Sequence, residues 1–550
     1  MHLHRRVAAW LVISAGLAVC SPRAFAELAV PSEARHAAAR IVIQHGGRHK
    51  PLDSFAWETL KLITGSAQWQ GQRSVDTVVS ILADSDRWQA VPLIAVPFVP
   101  LREALGMDRH AARISYNDVV ASRKLMRMLP PIVQKQQVDE KLTMLENETM
   151  DAFQRFAALS ALFEHRLELV PPAHVLDRSW LLVLQPEGYP AEQQERIRSA
   201  WSAFIAALRG GSQEAITAAT VELARTLREL NPSAQPPAWR VELELLYNRV
   251  GPFRIAKLLY LLAFLLFAWR LGAPPAAAVR AGFWLLGAAY LAHLAGIAMR
   301  VLIGARPPVS NFFETMLWLP FVTVTVALVF ERVYRSRYFA LAAALLAAIV
   351  LSLADVVPLD ASISPVVAVL HSNLWLTVHV LTIVASYGAI ALAVGLAHVY
   401  AVLYLMRRSD RDAFDRIGTF LYRALQVGVV LLAGGIMLGA VWANASWGRY
   451  WGWDPKETWA LITLLWYIAL LHGRFAGWLR GIGVPLVAIS GFFLLLMTYY
   501  GVSFYLVGLH SYAGGNAKPL PPLLIAYAAA ELAFLAWVGA AALSRRPRSS

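Results

Sequence analysis

The chain has 550 residues, more than one ordinary domain needs, and 57% of them are apolar with a mean hydropathy of +0.49, which excludes a soluble globular protein and implies an integral membrane protein. Its 50 basic residues outnumber 36 acidic ones for a formal charge of +14. The arginines recur between apolar stretches, however, and form no soluble basic patch, so nucleic acid is not the partner they imply.

Residues 1–26 have basic residues, a short apolar stretch and small residues at Ala24 and Ala26, the pattern of a cleaved secretory signal. Val19 is bulky where a lipoprotein site at Cys20 would want a small residue. Cleavage would remove Cys20, the only cysteine, and leave a mature chain without disulfide, thiolate ligand or thiol redox chemistry. Residues 27–250 mix polar and apolar positions, with helix-like runs at 192–208 and 212–230 and nothing long enough to cross a bilayer. They are expected to form a soluble, mostly helical extracytoplasmic domain. His45 and His49 have a spacing that could suit a metal, but a solvated turn explains them as well, and no site is assigned there. A Pro-rich joint at 231–237 and an amphipathic piece at 239–250 then lead into lipid.

The remainder, 251–550, is expected to be an all-α polytopic membrane helix bundle. Nine candidate transmembrane helices lie near 254–271, 281–304, 311–332, 339–354, 373–405, 420–442, 456–472, 481–500 and 522–543. With the N-terminal part outside, the inner connections carry Arg270, Arg280, Arg332, Arg335, Arg337, Arg407, Arg408, Arg411, Arg416, Arg474 and Arg480, with Arg545, Arg546 and Arg548 in the tail. The outer ones carry only Arg306, Arg449, Lys456 and Lys518, so the positive-inside bias fits a bacterial inner-membrane protein with its N-terminal part in the periplasm.

The sixth and seventh helices are joined by WGRYWGWDPKETW at 447–459, with four tryptophans, two acids and two bases in thirteen residues. Indoles are at home at a membrane surface, but Trp442, Trp447, Trp451, Trp453 and Trp459 exceed what interface anchoring needs. A flat, apolar, π-rich ligand is the sharper reading. Asp454, Pro455 and Glu457 read as N-cap, N1 and N3 of a helix start, which would hold the preceding tryptophans as a rigid shelf.

His379 lies about two turns into its helix from the outer end and His510 in an outer connection, so both share the tryptophans' side. Two imidazoles could clamp one haem iron from opposite faces, although either alone is as readily a hydrogen-bonded core residue. His472 lies seventeen residues after Pro455, about 25 Å deeper. It should sit near the cytoplasmic end of its helix and reads as an interfacial histidine beside Arg474. His293 and Arg300 fall seven residues apart, on one face of the second helix, with packing against Glu314 or Ser310 the equal alternative. Haem propionates want cations, for which Arg300, Arg306, Arg449 and Lys456 are secondary candidates that the sequence does not rank.

WGRYWGWDPKETWALITLLWYIALLH closely resembles the tryptophan-rich "WWD" signature of the haem-handling proteins of cytochrome c biogenesis. The similarity is greatest to the CcsA or ResC type of the two-component synthetase (System II), with the CcmF-type lyase subunit more distant. RPPVSNFFET, LWLTVHVLTIVASYGA and GVSFYLVGLHSYA extend the resemblance from about Ala281 to the C-terminus. It implies that His379 and His510 are paired external ligands of haem b flanking the WWD segment, and that His472 is the transmembrane histidine of a second site. Such proteins are thought to move haem outward and present its vinyl groups to the CXXCH thiols of apocytochrome c, as part of a haem lyase. Fused members carry a ResB or CcsB-like portion with its own membrane helices where this chain has a soluble stretch. A separate ResB/CcsB-type membrane subunit is therefore expected to supply the second ligand of the deep haem, with His293 a weaker internal candidate. Thiol-reducing proteins would act indirectly, since the mature chain lacks cysteine. The competing readings are a membrane transporter, for which repeats and broken helices are missing, and a scaffold of an electron-transfer complex, which would not need histidines matched in side to a tryptophan shelf.

Overall fold

A computed structural model describes residues 30–545, apart from 139, 175–178, 270–274, 358, 366–372, 407–410 and 511–520. The expected signal at 1–26 lies outside the described residues, as do Arg270, Arg407, Arg408, Lys518, Arg546 and Arg548.

Among the described residues the fold is all-α apart from three short two-stranded antiparallel sheets. Among the described residues, nine helices are long and apolar enough to cross a membrane: Ala238–Ala268, Ala276–Gly304, Phe312–Tyr334, Tyr338–Val356, Leu374–Leu405, Arg411–Trp447, Pro455–Phe475, Gly483–Tyr505 and Pro522–Ser544. We call them spans one to nine. Their number agrees with the hydropathy expectation, and the centres of spans two to nine do too. The largest difference is in span one, which starts at Ala238 against the expected 254 because the amphipathic piece at 239–250 is helical and leads straight into it. Span six, with 37 residues, extends the expected 420–442 at both ends. At 1.5 Å per residue it is about 55 Å long against a hydrocarbon core of about 30 Å, so part of it must lie outside the apolar layer.

Two hydrophobic cores account for the packing. One joins the spans through residues such as Tyr260, Phe267, Phe339, Ile390, Leu425 and Tyr467. The other lies among the residues before span one, around Ile43, Leu60, Leu93, Leu159 and Trp201. Here the helices Leu52–Thr64, Ser74–Ala83, Met144–Phe163, Ala191–Gly210 and Gln213–Glu229 pack with the hairpin Val42–His45/Arg48–Pro51. Its turn needs Gly46 and Gly47, both at positive φ (60° and 75°), where a Cβ would be strained. His45 meets Phe55 edge-on and His49 lies on Trp180, and among the described residues no group of three or more His, Cys, Asp or Glu is placed to hold a metal.

Polar contacts fix the N-terminal part to the bundle. Span one begins as the helix Ala238–Val250, turns at Gly251 and continues as Pro252–Ala268. Glu244 in its first half is buried and accepts hydrogen bonds from Arg48 Nη1 (2.6 Å) and Nη2 (2.7 Å) and from Ser54 Oγ (2.5 Å). One turn on, Tyr247 Oη accepts from Arg300 Nη1 at 3.2 Å. Arg300 also donates to Glu314, and to the carbonyls of Ala361 and Ser362 in the connection leading to span five.

Candidate functional site

Spans five to eight meet at the end of the bundle that carries the tryptophan connection. Asp454, Pro455 and Glu457 form the helix start that the sequence implies. The Asp454 carboxylate accepts from Lys456 N (2.9 Å), and the Glu457 carboxylate accepts from Asp454 N (3.1 Å) and Gly452 N (2.8 Å). Those two N–H groups flank Trp453, which holds φ +58°, a left-handed conformation that a bulky side chain rarely adopts. Glu457 thus braces a strained residue whose indole is 69% exposed. Trp451 packs edge-on against Trp453 at 5.7 Å, and together with Tyr450 they give an exposed aromatic surface.

Asp454 does more than cap. Its Oδ1 also accepts from His510 Nδ1 at 2.9 Å, and Oδ2 accepts from Leu509 N at 2.7 Å. The connection approaches this closely because residue 508 is glycine: a Cβ there would lie 2.4 Å from Asp454 Oδ2. Burial opposes ionisation of the Asp454 carboxyl, but the hydrogen bond and charge of His510, with the Lys456 and Leu509 N–H groups, hold it below the ordinary aspartate value. Sequence reasoning read the acid chiefly as a cap. The 56-residue separation from His510 hid its second role.

His379, on span five, donates its Nδ1–H to Gly435 O of span six at 2.9 Å. Gly439, one turn further along span six, leaves the space that the ring fills, since a Cβ there would be 2.6 Å from His379 Cε1. The imidazole is parallel to the Trp442 ring (5.9 Å between centroids, 10°), and the Trp442 ring is 5.8 Å from that of His510. The Trp447 ring stands perpendicular to His510 at 5.4 Å and packs on Trp442 at 4.6 Å. The two histidines are therefore brought together around one indole. In both, a carbonyl or carboxylate takes Nδ1–H, so the neutral ring keeps its Nε2 lone pair, which has no partner among the described residues.

His472 repeats the pattern at the far end of span seven, where Nδ1 donates to Ile468 O (2.9 Å) and the side chain is exposed on the surface of the bundle. His293 does not. It is wholly buried, Nε2 donates to Leu317 O (3.0 Å) and Nδ1 accepts from Tyr260 Oη (3.3 Å), so both nitrogens are committed.

The cations differ in the same way. Arg300 and Arg306 both grip the buried Glu314, at 2.8 and 2.6 Å. Lys456 Nζ donates to Ser503 Oγ (2.7 Å) and to Tyr499 O (3.1 Å), in the π-helical turn Met497–Gly501 of span eight. The Arg449 guanidinium lies across Gly452, where a Cβ would be 0.8 Å from Nη1, and has no hydrogen-bond partner among the described residues. Trp459 contributes its carbonyl, which accepts from Thr463 and Thr498. Two buried donors beside the histidines, Trp442 Nε1 and Ser446 Oγ, have no acceptor among the described residues. Imidazoles with open Nε2 atoms, aromatic surfaces and unpaired donors suit a metalloporphyrin with acid side chains.

The family model described as cytochrome C assembly protein matches residues 309–510, which include His379, His510 and the whole tryptophan connection. The cytochrome c biogenesis protein CcsA of a Synechococcus species is 34% identical over 287 residues, 46% of this chain and 91% of that protein. The chain belongs to the CcsA-type cytochrome c assembly family. The CcsA protein of Prochlorococcus marinus subsp. pastoris is 33% identical over 243 residues, 39% of this chain and 77% of its own length. Protein NrfI of Wolinella succinogenes is 32% identical over 505 residues, covering 88% of this chain, so that likeness extends into the residues before span one. The chain spans about half the length of NrfI, with 54% of it matched. As a CcsA-type protein with nine apolar helices among its described residues, it is a multi-pass membrane protein of cytochrome c biogenesis.

Proposed function

We propose that this protein binds haem b between His379 and His510 at the periplasmic face of a bacterial inner membrane and presents it for attachment to apocytochrome c. What supports this above all is that both imidazoles are held by Nδ1, to Gly435 O and to Asp454, with Nε2 left as the ligand atom. Asp454 is the positioning residue of His510, a carboxylate behind a metal-binding histidine. Trp442 and Trp447 flank the rings, and Trp451, Trp453 and the Glu457 brace form the shelf that orients the exposed edge. In the attachment, a cysteine sulfur bonds to a vinyl carbon and its hydrogen goes to the neighbouring carbon, so the addition needs no external oxidant or reductant. The chain's own part is to bind and orient. Thiol reduction comes from other proteins, consistent with Cys20 being the only cysteine.

His472, with an open Nε2 on the exposed surface, is the ligand of a second site at the cytoplasmic end. Its second ligand comes from a ResB/CcsB-type membrane subunit docked on that surface, His293 having no nitrogen to offer. The positive-inside distribution supports the orientation, with residues 27–250 as an extracytoplasmic domain after a signal at 1–26. The protein co-purified with its partner should show the visible bands of bis-histidine haem, and His379→Ala with His510→Ala should remove them from the outer site. An unchanged spectrum in the double variant would refute the assignment.

A further inference from the structure

Most donors in this bundle find an acceptor, and two beside the paired histidines do not. Trp318 Nε1 donates to Leu381 O and Trp466 Nε1 to Val487 O, whereas Trp442, only 3% exposed, has no acceptor for its indole N–H among the described residues. Helical serines here bond back to the carbonyl four residues earlier, as Ser352, Ser490 and Ser503 do, whereas Ser446 Oγ is buried and unpaired among the described residues. The two lie four residues apart at the end of span six, so they share one face of the helix. Both atoms are shut off from water, where an unmade hydrogen bond is costly. Trp442 places them, for its ring stacks on His379 and reaches His510.

The missing partner must offer at least two acceptor positions and no competing donor, as a carboxylate does. Its charge needs a cation. Arg300 and Arg306 are taken by Glu314, and Lys456 is held by Ser503 and the Tyr499 carbonyl. Arg449, three residues after Ser446, is without a hydrogen-bond partner among the described residues.

We infer that Trp442 Nε1–H and Ser446 Oγ–H anchor one propionate of the porphyrin, with Arg449 as its counter-charge. This rests on haem being the ligand of His379 and His510. Those histidines fix the iron but leave the macrocycle free to rotate about the axis through them. One anchored propionate stops that rotation, so it decides which edge faces the tryptophan connection. The residues are specificity-determining: they distinguish a porphyrin with free acids from its ester.

The test uses the full-length protein in detergent, titrated with haem b and with haem b dimethyl ester while the bis-histidine absorption bands are followed. Wild type should prefer the free acid by about tenfold or more, the worth of a charge-assisted hydrogen-bond pair. Trp442→Phe with Ser446→Ala should weaken the free acid more than the ester and so bring the two affinities together. Ser446→Ala alone, which removes one oxygen, should close part of the gap, and Arg449→Gln likewise. The anchor is overturned if the double variant keeps its preference or loses both ligands equally. Wild type that takes up neither porphyrin would refute the haem reading itself, and the His379/His510 variants identify that case.

Discussion

At Asp454 each carboxylate oxygen has work that an amide cannot share. Oδ1 accepts from His510 Nδ1 and Lys456 N while Oδ2 accepts from Leu509 N, so each of these three groups facing the side chain is a donor. In Asp454→Asn one oxygen becomes an NH2 group that must point at a donor, either the Leu509 N–H or the pair on Oδ1. The helix cap survives in part, because asparagine caps about as well as aspartate. The orientation of His510 should not. We expect haem retention at the outer site to fall about tenfold, at the lower end of the effect of removing a partner behind a metal-bound histidine, with a nearly unchanged melting temperature. Visible absorbance per mole of purified protein measures the first and a thermal scan the second. Equal haem content in the variant and wild type would show that Asp454 only caps.

Helix contacts set the other half of the site, and they separate two kinds of glycine on span six. A methyl group added at Gly434 would meet nothing within 4 Å, while one added at Gly439 would be 2.6 Å from the His379 ring. Gly434→Ala should therefore be neutral or stabilise by about 0.5–1 kcal/mol through helix propensity. Gly439→Ala must displace the imidazole or separate spans five and six. Overpacking of this kind costs about 1–3 kcal/mol, and loss of the outer-site haem bands in Gly439→Ala but not Gly434→Ala is the expected outcome. Spans were legible in the sequence because hydropathy and arginine placement are local signals, and the centres of spans two to nine follow them closely. Pairings were not. Nothing near Gly439 announces His379 sixty residues earlier. His398 and Glu531 were missed altogether: they meet at 2.8 Å between spans five and nine, 133 residues apart. His398 Nδ1 already donates to Val394 O, so Nε2 and the carboxyl share one proton and pin the terminal helix within the membrane. His293 failed for the same reason, since its second partner, Tyr260, is supplied by another span.

Across the whole molecule, the N-terminal part and the bundle are joined by a relay of charges. Glu244 holds Arg48 and Ser54, Tyr247 one turn on meets Arg300, and Arg300 reaches Glu314 and the connection before span five. That connection also touches the hairpin tip, where a Cβ on Gly47 would be 3.2 Å from Pro365. The helix bearing His379 is thus approached from the N-terminal side through packed contacts. Removing Glu244 leaves the Arg48 guanidinium, 12% exposed, without its counter-charge, a change that costs about 3–5 kcal/mol when the pair is buried. Glu244→Ala should therefore loosen the hairpin and the helix Leu52–Thr64 while the spans stay packed on their own core, and Glu244→Gln, which keeps an acceptor for Ser54, should do so less. Hydrogen exchange read peptide by peptide distinguishes this: faster exchange over 42–64 with unchanged exchange in spans two to eight is expected. Uniformly faster exchange throughout would mean that the two cores unfold as one unit and that Glu244 stabilises the whole chain.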